Sequence, residues 1–214
     1  MKIKKINKEF LLEAQMIPVL IKECCKIFGA KYYIEEFQTG NGIPDIVFAK
    51  NVKYRYYKKM DYESYYFLSE IMKNNKISFD KNIIQFNKYK ELKKYLINNG
   101  YIKQFNDNTF LKQKDIVPLV SDIIAIEAKL SDWKNGFYQA LRYKYFAHES
   151  YLAISESKVK NVDLQLLIEH GIGLIAVCNN EVKIVLNAKN EKPINYASCL
   201  YSSQNFYEKI YHFK

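Results

Sequence analysis

Two carboxylates and an ammonium interrupt apolar runs that read as strands. Asp45 opens the run Gly-Ile-Pro-Asp-Ile-Val-Phe, and Glu127 and Lys129 sit inside Ile-Ile-Ala-Ile-Glu-Ala-Lys-Leu. A strand repeats its side-chain direction every two residues, so Glu127 and Lys129 share a face about 7 Å apart. Ile124, Ile126 and Ala128 point the other way. Charges buried in such a run are costly without a purpose, although an edge-strand ion pair is common and worth little. Pro44 sets the turn into the first strand, leaving Asp45 at its start. Carboxylates from two neighbouring strands form a hard, oxygen-rich site suited to Mg²⁺ (or Mn²⁺). An ammonium beside that metal can orient an attacking water and help deprotonate it. The metal lowers the pKa of the water and offsets charge on a pentacovalent phosphate. Carboxylate, carboxylate and ammonium at one sheet end suit phosphodiester hydrolysis.

A second pair, Gln139 and Tyr143, lies one helical turn apart in Gln-Ala-Leu-Arg-Tyr. Such a pair is either a hydrogen-bonded surface contact or a functional pair. Other chemistries lack their residues. His148, His170 and His212 stand alone, without metal-ligand spacing. Gly-Asn-Gly at 40–42 is a turn and not a phosphate loop, so no nucleotide cofactor is expected. No Gly-x-Ser-x-Gly or Cys/His pairing suggests acyl hydrolysis.

The elements that must position these residues are legible in outline. Residues 8–28 read as a helix with Gly29 as its C-cap and Pro18 as a possible kink. Lys-Tyr-Tyr-Ile-Glu-Glu-Phe-Gln and Ile-Pro-Asp-Ile-Val-Phe-Ala-Lys read as strands joined by the turn Thr-Gly-Asn-Gly. Later, Val-Ser-Asp-Ile-Ile-Ala-Ile-Glu-Ala-Lys-Leu is a strand. Residues 131–149 are a helix with Ser131 or Asp132 as N-cap. A strand follows, then a helix over 161–170, then two strands around Asn179-Asn180. Residues 191–214 suggest only a short aromatic helix near the end. The expected core is an α/β sandwich with a mixed central sheet, carried by residues 1–50 and 116–214.

Charge divides the chain. The net charge is +10 over 214 residues. Residues 51–114 hold 14 Lys/Arg against 6 Asp/Glu, so most of the excess sits in this middle segment. An AT-rich coding sequence explains abundant Lys but not the imbalance over Glu. The excess favours an anionic partner, with nucleic acid first. Within 51–115 the pattern is a helix, a short helix or turn in Ile-Ser-Phe-Asp-Lys-Asn-Ile-Ile-Gln-Phe, a helix over 88–98 and a hairpin with a polar tip. Three helices and a two-stranded wing outline a winged helix-turn-helix. Its recognition helix would present Lys88, Lys90, Lys93 and Lys94 to DNA, with Lys134 of the core as a further contact. The alternative is a helical insert whose lysines simply face water. No secretory segment is visible, and Met16 to Ile21 is far too short to span a bilayer. Four cysteines, Cys24, Cys25, Cys178 and Cys199, show no zinc spacing and read as reduced, mostly buried thiols of a cytoplasmic protein.

On Pro44-Asp45, Glu127-Ala128-Lys129 and the following helix with Gln139-x-x-x-Tyr143, the chain resembles the PD-(D/E)XK nuclease superfamily, the restriction-endonuclease-like fold. The resemblance covers about residues 8–50 and 116–190. Trp133 and the Gly-Ile-Gly-Leu-Ile run add to it. It implies an α/β/α core in which Asp45 and Glu127 are metal ligands and Lys129 is the catalytic lysine, while Gln139 and Tyr143 support DNA or the site. An acid on the first helix often joins such sites. Glu13 is the best match, with Glu9 and Glu23 as alternatives, and Glu36 could add a further carboxylate from the first strand while Glu35 faces away. In the family the two strands usually form a close hairpin. Here 81 residues separate Asp45 from Glu127, so the basic insert must leave and return at neighbouring points. The expected protein is an Mg²⁺-dependent DNA endonuclease for restriction, defence, mobile elements or repair, with a homodimer as the assembly that would cut both strands. The rivals are a winged-helix DNA-binding regulator with an idle nuclease-like core, and an RNA-directed nuclease or toxin-like partner.

Overall fold

The computed structural model describes residues 10–53, 60–78, 86–106 and 109–212. A single 3-10 turn, Glu13–Gln15, leads into helix α1, Ile17–Phe28. The helix therefore starts later than residue 8, and Pro18 lies in its first turn, where a missing N–H costs nothing. Pro18 is thus part of the helix start and not a mid-helix kink. Gly29, at φ 62°, ends the helix in the left-handed region that favours glycine.

Strands β1 (Tyr32–Glu35) and β2 (Ile46–Val52) form an antiparallel pair at the edge of the main sheet. The second half of the chain supplies β6 (Val120–Lys129), α4 (Trp133–Tyr143), β7 (Glu149–Ser155), α5 (Leu164–His170), β8 (Gly173–Cys178), β9 (Glu181–Leu186) and α6 (Tyr196–His212). The sheet order is β1-β2-β6-β7-β8-β9, with β6, β7 and β8 parallel and the other pairs antiparallel. The fold is α/β around a mixed six-stranded sheet. On one face Leu20 and Cys24 of α1 pack on Ile46, Phe48, Ile124 and Ile126. On the other, Tyr143 of α4 and Phe206 of α6 pack on Val47 and Ala125. β6 is therefore covered on both sides, as its nearly continuous apolar run requires.

Besides α1, α5 starts at Leu164 and not at 161, and α4 and α6 depart further from the sequence reading. α4 ends at Tyr143 and not near Glu149, because the chain must turn back to start β7 beside β6. Phe146 and Ala147 are buried in that turn, and His148 N–H donates to Ile123 C=O at 2.8 Å. α6 runs 17 residues, longer than its sequence suggests. Its Ala197 and Leu200 belong to the core of the middle segment, so its stability comes from tertiary packing.

That middle segment contains α2 (Tyr62–Lys73), β3 (Lys76–Ser78), α3 (Phe86–Asn98), β4 (Ile102–Asn106) and β5 (Thr109–Lys112). β3 is a strand where a short helix or turn was expected. It pairs with β5, giving the order β3-β5-β4. Residues 79–85, the rest of that expected short helix, lie outside the described residues. Leu68 and Ile71 of α2, Leu96 of α3 and Phe110 of β5 make the segment's own core. Its ends meet: Val52 pairs with Val120, and Lys53 N–H donates to Leu119 C=O at 2.7 Å. Among the described residues no helix is long and apolar enough to cross a membrane.

Candidate active site

β2 and β6 pair with Ile46 opposite Ile126. Continued by one residue, that register sets Asp45 opposite Glu127, and directly opposed residues of an antiparallel pair share a face. β2 stops at Ile46, so Ala128 N–H lies beyond the ladder on that side. Asp45 Oδ2 accepts it at 2.7 Å. The bond ties the carboxylate to the strand that carries Glu127 and Lys129.

Glu127 is 2% exposed. Its Oε1 accepts from Lys129 Nζ at 2.7 Å, and its Oε2 accepts from Tyr143 Oη at 2.5 Å. Tyr143 is fully buried and also reaches Ile43 C=O at 3.2 Å. Glu13, on the turn before α1, accepts Leu130 N–H at 3.1 Å through Oε1. Its Oε2 lies 3.6 Å from Lys129 Nζ. Lys129 is thus bracketed by two carboxylates.

The electrostatics follow from burial. Desolvation raises the Asp45 pKa above the ordinary carboxylate value, against the Ala128 N–H and Lys129, while Glu13 and Glu36 push it further up. Desolvation also raises Glu127, against its bonds from Lys129 and Tyr143, and the Asp45 charge adds to the rise. For Lys129, desolvation works downward, but the Glu127 bond and the charges of Glu127, Glu13 and Asp45 outweigh it, and its pKa is raised. Burial and the Glu127 carboxylate drive the Tyr143 phenol far up, so it acts as a donor.

Not every expected residue joins. β1 ends at Glu35, so Glu36 is not within the strand. It takes a left-handed φ of 46°, its N–H donates to Asp45 C=O at 3.0 Å, and its side chain is exposed. Glu36 is a charge beside Asp45 and not an inward ligand. Glu23 pairs with Lys26 and Lys22 on the surface of α1, and Glu9 lies outside the described residues. Among the described residues no group of three or more His, Cys, Asp or Glu is assembled for a metal ion. The expected set of four carboxylates reduces to the pair Asp45 and Glu127, with Glu13 engaged next to them. Gln139 makes no hydrogen bond to the charged groups, and its Oε1 is buried without a partner among the described residues.

One contributor escaped the sequence reading. Gly136 of α4 lies so close to the sheet that an added Cβ would stand 2.5 Å from Leu152 Cδ1 and 2.9 Å from Lys129 Cγ. The glycine lets the helix press on the lysine stem. A glycine inside an amphipathic helix was the available signal. Asp132 caps α4 by accepting Asn135 N–H at 3.2 Å. Lys134, in the first turn of α4, is exposed at this end of the sheet.

Lys90 and Lys94 of α3 are exposed. Lys93 is half-buried, with Nζ 4.7 Å from the Phe110 ring centre, so it turns toward the hairpin. The Lys88 side chain lies outside the described residues. Remote from the site, burial holds the Cys24 and Cys199 thiols up at about 12, and no disulfide joins any two of the four cysteines. His148 is pushed down by burial, and its Nδ1 accepts Ile123 N–H at 3.2 Å, a structural role.

Fold and site define an α/β protein with a charged cluster at one end of a mixed sheet. No family model matches the chain, and no curated protein matches it. Among solved structures, a protein of unknown function from Silicibacter pomeroyi is similar at 18% identity with a TM-score of 0.32. The match covers 43% of this chain and spans 60% of that one.

Proposed function

We propose that this chain is a divalent-metal-dependent nuclease acting on DNA, of the PD-(D/E)XK type. One observation carries the reading: Asp45, Glu127 and Lys129 converge at one end of the sheet, with Asp45 bonded to the backbone between the other two. The donor set fits a hard cation. Burial raises both carboxyls, the Asp45 charge adds to the rise of Glu127, and the oxygens hold more lone pairs than their hydrogen bonds use. Asp45 and Glu127 would hold the ion, with Glu13 beside them. Mg²⁺ bound there supplies an activated water and neutralises charge on the phosphate. Lys129 Nζ places a fixed positive charge next to the same carboxylates. Tyr143 Oη fixes the rotamer of Glu127. The order helix, strand, helix, strand, strand in the middle segment, with the first strand beside the last, supports a winged-helix-like module for DNA capture.

A gel tests the reading. Plasmid incubated with purified protein and Mg²⁺ should be cut, EDTA should prevent it, and Lys129→Met should abolish it. A second reading, a DNA-binding protein with an idle core, draws on the two Glu127 oxygens both being engaged by Lys129 and Tyr143. It expects DNA binding and no metal-dependent cleavage at any protein concentration.

A further inference from the structure

A cavity of about 580 Å³ lies away from the charged cluster, where the β1–β2 turn, the start of α2 and α6 meet. We infer that it receives one unpaired nucleobase of a DNA strand whose phosphates run on toward Asp45. The assignment deepens the nuclease reading and rests on it.

The walls carry the inference. Tyr62 and Tyr201 stand edge to face, 5.7 Å between ring centres and 87° between planes, and both line the cavity. Such rings offer a flat apolar surface on which any base can stack. Gln38 and Asn205 bring amides whose donors and acceptors make no hydrogen bond among the described residues. They are open to the edge of a base. Glu208, which accepts Gln204 Nε2 at 2.9 Å, adds an acceptor. Lys209 is exposed at the rim, where an ammonium can meet a phosphate. The volume falls in the range of small-ligand sites, roughly 300–1,000 Å³.

Position ties the cavity to the cluster. Thr39 and Gly40 line it, and the same turn is closed by Thr39 N–H donating to Gly42 C=O at 3.0 Å. Gly42 lies against Tyr143, where an added Cβ would stand 3.1 Å from Cε1, and Ile43 C=O accepts from Tyr143 Oη. Asp45 lies five residues beyond Gly40, a reach of at most about 18 Å, so a base in the cavity is a few nucleotides at most from the carboxylates. The middle segment contributes Tyr62 and the core contributes the rest, so the site exists only where the two are packed together.

Gly40 allows a clean test. An added Cβ there meets nothing within 4 Å, and its φ is not in the left-handed region, so Gly40→Trp fills the cavity without backbone strain. Fluorescence anisotropy of the full chain in EDTA would compare a single strand of about 20 nucleotides with the matching blunt duplex. Gly40→Trp, and separately Gln38→Ala with Asn205→Ala, should weaken the single strand about tenfold or more, with at most about a twofold change for the duplex. Circular dichroism melting checks that each variant folds. Unchanged single-strand affinity in both variants overturns the cavity and leaves the nuclease reading standing. Binding of duplex but no single strand by the wild type does the same. Absence of any DNA binding overturns both. Thymidine monophosphate binding as tightly as the strand overturns the assignment to a strand.

Discussion

Tyr143 on α4 holds Glu127 on β6 through a 2.5 Å hydrogen bond across the helix–sheet interface, with both groups almost wholly buried. The helix that follows the charged strand therefore orients its carboxylate. Tyr143→Phe removes the donor and keeps the ring. A buried carboxylate that loses a donor is destabilised by about 1–3 kcal/mol, and its pKa rises further. Affinity for Mn²⁺ should fall about tenfold, read by calorimetry, and stability should drop in a denaturant titration at neutral pH. Unchanged affinity would show that Glu127 needs no support from α4.

Lys129 separates chemistry from folding. Its stem packs under Gly136 while its ammonium meets Glu127. Lys129→Met keeps the stem. Cleavage should fall by at least about a hundredfold, while DNA affinity stays within about threefold. The checks are single-turnover cleavage and anisotropy on the same preparation.

Gly136→Ala sets helix propensity against space. Alanine gains up to about 1 kcal/mol in a helix interior, but its Cβ would crowd Leu152 and Lys129. Overpacking costs about 1–3 kcal/mol, so the melting temperature should fall. A higher melting temperature would mean that α4 can lift from the sheet freely.

The raised carboxylates make opposite pH demands on stability and on metal binding. A carboxyl with its folded pKa above its unfolded one takes up a proton on folding. Its contribution to stability is present below the unfolded value and is lost as pH rises through the folded value. Asp45→Asn should therefore raise the melting temperature of the metal-free protein at neutral pH. A metal needs the charged forms, so Mn²⁺ affinity should fall on acidification already above the ordinary carboxylate range. Calorimetry across pH, with parallel melts, checks both signs.

Lys90 and Lys94 face solvent on α3. If they meet phosphates, Lys90→Gln and Lys94→Gln should each weaken DNA binding regardless of sequence. Each should also reduce the slope of log affinity against log salt by about one. A slope unchanged in the double variant takes these lysines out of DNA contact.

Much of the core was legible because its signals are local. Alternating and continuous apolar runs marked β2, β6, β7 and β8. Asp132 and Gly29 marked helix ends, and Asp45, Glu127 and Lys129 stood out as charges in apolar strands. β3 was not legible, since three residues become a strand only by pairing with β5, more than thirty residues away. The length of α6 was not legible either, only a short helix near its end, because its buried face answers to two cores at once.

Residue type and spacing alone determined which charged groups could act and that Glu127 and Lys129 share a face, since strand geometry is a property of neighbouring residues. Only the tertiary structure decided that 81 intervening residues return to bring Asp45 opposite Glu127. It also placed Glu13 beside Lys129 and set Gly136 against the lysine stem. Those choices depend on how distant segments pack, and no local pattern encodes the distance between them.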